Sequence, residues 1–231
     1  MTQPHLPVFV PHLGIDTVKA VTDALHVGWL GMGQSTQLFE ERIGAYLGVP
    51  GRRVIATNTG TSALHMALLL AGVKPGDQVI TPSFNFVADH QAIRACGAVP
   101  VLCDVRDDDL GADPAAVERL ITPRTRAIFL NTPHNPTGAV LGRAALQEIA
   151  DLAARRNLYL ISDEAYEHLV FSGSEHVPFC TLPRMAERTV TISSFSKLFT
   201  VTGWRVGYVC AVPWLTASIR KTHAELTAGA P

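Results

Sequence analysis

The sequence carries little charge, and none of it is concentrated. Only 17% of the 231 residues are Asp, Glu, Lys or Arg, and the formal net charge is -1. No basic run offers a surface for nucleic acid or for an anionic membrane. Long apolar runs are missing too. The longest, Met66 to Val73, falls well short of the roughly 20 residues that a bilayer span requires. The opening residues, Met1 to Phe9, hold two prolines and no basic stretch ahead of an apolar one, so they do not read as a signal peptide. Cysteine is sparse: Cys96, Cys103, Cys180 and Cys210 form neither a close pair nor a cluster with histidine. That spacing points to neither a zinc site nor a disulfide framework. What is abundant is apolar side chain, 47% of the chain, enough for a sizeable core and too much for disorder. A cytoplasmic protein with one large domain is the expectation.

Short apolar runs rich in β-branched residues recur along the chain. Strands are expected at Val54–Thr57, Gln78–Thr81, Val99–Asp104, Ala127–Asn131, Leu158–Ser162, Thr189–Ser193 and Val206–Cys210. Several are continuously apolar rather than alternating, as suits strands covered on both faces. Helical patterns lie between them: Ser62–Ala71, Phe86–Cys96, Pro114–Ile121 with Asp113 as N-cap, and Arg143–Arg156 with basic residues in its last turn. Thr17–Ala24 and Gln37–Tyr46 read as helices joined by a Gly-rich connection, and a further helix is expected to start at Pro213 and run to Leu226. The alternation predicts an α/β domain, a mainly parallel seven-stranded sheet with helices on both faces.

Four segments at expected strand ends carry chemistry. Ser194-Phe195-Ser196-Lys197, with Arg205 further on, sets a lysine beside two hydroxyls and a guanidinium on what reads as a loop. A lysine amine can condense with an aldehyde, and hydroxyls with an arginine suit a phosphate. A lone lysine in a Ser/Thr-rich loop is ordinarily just solvated. Asp163-Glu164-Ala165-Tyr166 follows another strand, where ligands bind in open α/β sheets; an acid there is more often a cap or a solvated turn. Asn131-Thr132-Pro133-His134-Asn135-Pro136-Thr137-Gly138 is a rigid turn at a third strand end. Asn58-Thr59-Gly60-Thr61-Ser62 opens a helix with small residues, so an anion can approach its free amides. Each is weak alone. Together they offer a phosphate cradle, a Schiff-base lysine, a carboxylate and oxygen-directed donors, the parts that pyridoxal 5'-phosphate (PLP) requires.

With those residues in view, NTPHNPTG, SDEAY and SSFSKLFTVTGWRVGY resemble the class I/II aminotransferases of PLP fold type I. That resemblance implies that Lys197 forms the Schiff base and shuttles a proton. It also implies that Asp163 pairs with the pyridine nitrogen, that Asn135 and Tyr166 bond the ring hydroxyl oxygen, and that Ser194, Ser196 and Arg205 hold the phosphate. The first half, including GWLGMGQSTQLFEERIGAYLGV and TNTGTSALHMALLLAGVKPGDQVITPSFNFVADHQAIRACGAVPVLCDV, resembles the DegT/DnrJ/EryC1/StrS sugar aminotransferases of the same fold. It implies that Gly60, Thr61 and Ser62 form the phosphate cup and that Phe86 stacks on the pyridine ring. The chain thus reads as a hybrid with a seam near Ala127–Asn131.

These resemblances divide the chain into an N-terminal arm with helices (1–50), a PLP-binding large domain (51–212) and the start of a C-terminal segment (213–231). The latter is too short for the small domain that follows in both families, and no residue there matches the arginine that clamps a substrate carboxylate in class I/II enzymes. The implied activity is transfer of an amino group between an amino acid and an oxo acid by a homodimer. The alternatives are a sugar aminotransferase, another PLP reaction such as elimination, racemisation or decarboxylation, and a PLP-binding domain without turnover. A PLP-sensing regulator would carry a basic helix-turn-helix region, and none is visible.

Overall fold

The computed structural model describes residues 10–171 and 173–217. All seven expected strands are present, displaced by at most two residues: β1 (Arg53–Thr57), β2 (Gln78–Pro82), β3 (Val99–Cys103), β4 (Thr125–Asn131), β5 (Tyr159–Asp163), β6 (Thr189–Ser194) and β7 (Gly207–Ala211). They form one sheet in the order β1-β7-β6-β5-β4-β2-β3. Neighbours from β6 to β3 are parallel, whereas β7 runs against both β6 and β1. A single reversed strand therefore leaves six strands pointing one way. Thr57 and Ser194 both pair with Gly207, and Asn131 pairs with Asp163. The carboxyl ends of β1, β4, β5 and β6 thus meet the start of β7 along one edge.

The helices are α1 (Ile15–Val27), α2 (Gln34–Leu47), α3 (Gly60–Leu70), α4 (Ala88–Ala95), α5 (Pro114–Leu120), α6 (Arg143–Arg156), α7 (Phe195–Leu198) and α8 (Pro213–Thr216). The expected helix from Pro213 is seen for its first turn; its remainder lies outside the described residues. Alternate strand residues feed two cores. On one face Phe129, Ile161 and Val190 pack with Leu64 and Leu68 of α3 and Ile93 of α4. On the other Ile128, Leu130 and Leu160 pack with Val117 of α5 and Leu146 and Ile149 of α6. Helices on both faces explain why the central strands read as continuous apolar runs. Asp113 caps α5 as expected, its carboxylate accepting from the amides of Ala115 and Ala116 at 3.0 and 3.2 Å. The edge strand β1 is covered by α2: Ile43 and Leu47 pack on Val54 and Tyr208, and the buried Glu40 carboxylate accepts from the Ala56 amide at 3.0 Å. A capped edge amide offers no template for another strand.

Two glycines let α3 dock onto the strand ends. A Cβ on Gly207 would lie 2.9 Å from the Gly60 nitrogen and 2.9 Å from the Thr59 carbonyl carbon, and one on Gly60 would lie 3.2 Å from Ser194 Cβ. Backbone, not a flexible side chain, blocks the space at Gly207. Gly207→Ala should therefore force β7 and α3 apart and cost about 1–3 kcal/mol, as overpacking does, read as a lower urea midpoint with an unchanged slope. An unchanged midpoint would show that the contact yields freely.

Candidate active site

The shared edge carries a pocket of about 220 Å³, and every sequence-predicted site residue except Ser62 lines it. They arrive from several different elements, so their positions follow from the sheet order. β5 ends in Asp163, β4 leads to Asn135, β6 leads into α7 with Ser196 and Lys197, and β7 is preceded by Arg205. Ser62 stands just behind, its amide donating to Thr59 Oγ1 at 2.8 Å and its hydroxyl accepting from it at 2.9 Å. This N-cap leaves the Gly60 and Thr61 amides, the first of α3, directed along the helix axis, as unsatisfied first-turn amides are.

The lysine segment differs from the expected loop. Phe195–Leu198 is a helical turn whose N-cap Ser194 accepts from the Ser196 amide. Lys197 sits half-buried on this turn. After it the chain passes through a short 3₁₀ turn (202–204) to Arg205, which adopts a left-handed backbone with φ of 56° and donates from Nη1 to the Thr202 carbonyl at 3.1 Å. That conformation is uncommon for a residue with a side chain and is concentrated at functional sites.

The two adjacent acids of the SDEAY segment have opposite settings. Glu164 points away from the pocket and is fully engaged. Its carboxylate accepts from Ser162 Oγ at 2.7 Å and from the Phe179 amide at 3.2 Å, and meets His176 Nε2 at 3.2 Å. It fastens β5 to the 176–179 segment. Asp163 faces the pocket and accepts from the Ala165 amide at 3.1 Å. Burial pushes its carboxyl up to about 7, with the charges of Asp89 and Glu164 adding to the shift. Tyr166 stands beside it, its hydroxyl accepting from Asn135 Nδ2 at 3.4 Å. Burial and the Asp163 charge raise the Tyr166 phenol as well, so it remains a donor at neutral pH.

Sequence reasoning left several supporting residues without a role. Asn131 donates from Nδ2 to the Asp163 carbonyl at 3.1 Å and accepts from the Asn135 amide at 2.8 Å, tying two pocket residues together. His134 is buried and bonds the Phe84 carbonyl at 2.9 Å and Thr137 Oγ1 at 2.8 Å. It joins the Asn/Pro turn to the loop that carries Phe86. Both lie inside a motif singled out above, but each also has a partner far away in sequence, Asp163 for Asn131 and Phe84 for His134. A larger apolar cavity of about 870 Å³ lies on the other side of the α7 turn, between Leu13, Phe39, Phe195 and Trp204. It is lined by neither Lys197 nor Asp163.

PLP fits this donor set. The pocket is anionic at one end, where Asp163 can meet a protonated ring nitrogen. It is rich in donors at the other, where the cradle left by the absent Gly60 side chain adjoins Ser194, Ser196 and Arg205. Lys197 lines the same pocket.

The setting of Asp163 has a consequence for the cofactor-free protein. An aspartate ordinarily titrates near about 3.9, so the folded state keeps a proton that the unfolded state releases. Stability is then lost progressively from about pH 4 to about pH 7 and stays low above it. Asp163→Asn should melt higher than the unsubstituted protein at about pH 8 and show no such gain at about pH 4.5. Melting curves with the same difference at both pH values would contradict the assignment.

The model of the DegT/DnrJ/EryC1/StrS aminotransferase family matches residues 11–171. The match runs past the expected seam at Ala127–Asn131. Among curated relatives, a probable N-succinyldiaminopimelate aminotransferase DapC of Mycobacterium tuberculosis is 42% identical over 188 residues, 79% of this chain and 47% of that protein. The arginine–pyruvate transaminase AruH of Pseudomonas aeruginosa is 40% identical over 184 residues, 79% of this chain and 46% of that protein. Alignments of this length reach into both halves, so the two resemblances overlap instead of dividing the chain. The solved aromatic aminotransferase of Pyrococcus horikoshii superposes with a TM-score of 0.83 at 30% identity, over 96% of this chain and 62% of that one. The chain spans about half the length of the curated relatives it matches. Aminotransferases of this fold use PLP. With more than half its length matched by one family model, the chain belongs to the DegT/DnrJ/EryC1/StrS aminotransferase family.

Proposed function

We propose that this chain forms the cofactor-binding part of a PLP-dependent aminotransferase that moves an amino group between an amino acid and an oxo acid. The observation that carries the reading is convergence: Lys197, Asp163, Asn135, Tyr166, Arg205 and the start of α3 come from five segments of the sequence and line one pocket. In this reading residues 51–212 are the cofactor-binding unit. When bound, PLP supplies an aldehyde that condenses with amines and a cationic ring that draws electrons from the carbon bearing the amine.

The chain's own residues have separable tasks. Asp163 holds the proton at the ring nitrogen, because a neighbouring anion favours the cationic form. Asn135 and Tyr166 direct donors at the ring hydroxyl oxygen. The amides of Gly60 and Thr61, the Ser194 and Ser196 hydroxyls and the Arg205 guanidinium would bind the phosphate, whereas Ser62 would only support the turn behind them. Phe86 covers the ring face. The Lys197 amine would hold the aldehyde group and would be the base that takes and returns a proton at the substrate Cα.

An amino-acid donor is favoured because the relatives named above are aminotransferases of amino acids or their derivatives. A sugar acceptor is the second reading, the one that the resemblance of the first half implies. A homodimer is part of the proposal. Val18, Val21, Leu25, Trp29 and Leu30 leave an apolar stretch of α1 and the following turn exposed, more than isolated surface residues would. The proposal also places the protein in the cytoplasm, in keeping with four buried, unpaired cysteines. Among the described residues no helix is long and apolar enough to cross a membrane.

Added PLP should give a visible absorption band that borohydride fixes covalently on Lys197, and Lys197→Ala should lack it. A panel of amino acids should then convert the cofactor to its amine form, and nucleotide-linked amino sugars should do so only if the second reading holds. A band that persists in Lys197→Ala would contradict the assignment of the lysine.

A further inference from the structure

Asp89 is a buried acid that no motif singled out. It lies in the first turn of α4, 1% exposed, and its carboxylate collects donors from three directions. Thr81 Oγ1 at the end of β2 donates to Oδ2 in a short bond. Asn85 Nδ2 donates to the same oxygen at 3.1 Å, and the His90 amide donates to Oδ1 at 2.8 Å. The His90 ring stands at 3.6 Å. Asn85 in turn uses its Oδ1 to accept from the Phe86 amide at 2.9 Å. The buried sheet residue Thr81, Asp89, Asn85 and the Phe86 backbone are thus linked in series. Phe86 is itself 56% exposed and lines the pocket, so packing by its own ring does not hold it.

We propose that Asp89 is a positioning residue for the cofactor site: acting through Asn85, it fixes the loop that presents Phe86 to the cofactor ring. This rests on the PLP reading above and names a residue that the reading did not use. The series has the right chemistry for a brace. A carboxylate accepts only, so all its partners must be donors, and Asn85 both donates to it and accepts from the Phe86 amide. Burial makes each of these bonds costly to leave unmade. The same loop is held a second time by His134 on the Phe84 carbonyl, so the brace sets the placement of Phe86 and does not decide whether the loop folds. The Asp89 charge also reaches Asp163 and, after burial, contributes to raising that carboxyl.

The test is a double-mutant cycle on PLP affinity, read from the visible circular dichroism of the bound cofactor. The unsubstituted protein, Asp89→Asn, Phe86→Ala and the double variant are titrated with PLP. Asp89→Asn keeps the shape but turns a donor toward Asn85 or Thr81. It should weaken PLP about fivefold, the scale of one net hydrogen bond, and should change affinity little once Phe86 is already alanine. The same loss in both backgrounds, or no loss in either, overturns the proposal, because a merely structural carboxylate does not depend on Phe86. If Asp89→Asn does not fold, Asn85→Ala takes its place, since that half-buried side chain is the link in the series and lies outside the core. An unsubstituted protein that binds no PLP overturns the cofactor reading and this proposal together, whereas binding with equal losses overturns this proposal alone.

Discussion

Asp163 ends β5 with a single backbone amide donating to its carboxylate, and its charge is opposed by burial and by the nearby Asp89 and Glu164. Ionising it in that setting is harder than in water, and a neighbouring cation would offset the difference. The pocket is arranged around that need. Glu164, one residue on, is satisfied by Ser162, Phe179 and His176 and so keeps the turn rigid without competing for the pocket. The Asp163 carbonyl is held from two sides by Asn131 Nδ2 and the Thr132 amide, both at 3.1 Å. The acid is placed by backbone and by a neighbouring strand, and its charge is left for a ligand.

The opposite end of the pocket depends on contact distance instead of charge. The N-terminus of α3 reaches the ends of β6 and β7 only because positions 60 and 207 lack a Cβ. The reversed strand β7 makes this possible, since its start, rather than its end, meets the carboxyl ends of its neighbours. Arg205, Gly207 and Ser194 are thereby brought beside Gly60. The charge setting of Asp163 and the close backbone approach at Gly60 thus act on the same pocket.

Much of this was legible in the sequence, for physical reasons that differ by element. The central strands announced themselves because both faces are covered, so each reads as an unbroken β-branched run. Asp113-Pro114 gave the start of α5 through a cap that needs only local residues. The α7 turn around Lys197 was not legible: four residues are too few for a helical period, and its cap, Ser194, also closes a strand. The start of α4 was read two residues early, at Phe86, because Asn85 bends the chain by accepting from the Phe86 amide before the helix begins at Ala88. The reversal of β7 left no mark, since a buried strand has the same pattern in either direction. The contacts of Asp89 with Thr81 and of His134 with Phe84 join separate segments, and nothing local distinguishes them from caps and turns.

The central claim is that Asp163 waits for a protonated ring nitrogen. The most direct measurement is the ¹⁵N resonance of PLP labelled at the ring nitrogen and bound to the protein, beside the same spectrum for Asp163→Ala. The account predicts a protonated nitrogen in the unsubstituted protein across neutral pH and an unprotonated one in the variant. An unprotonated nitrogen in the unsubstituted protein, or the same resonance in both, would contradict it.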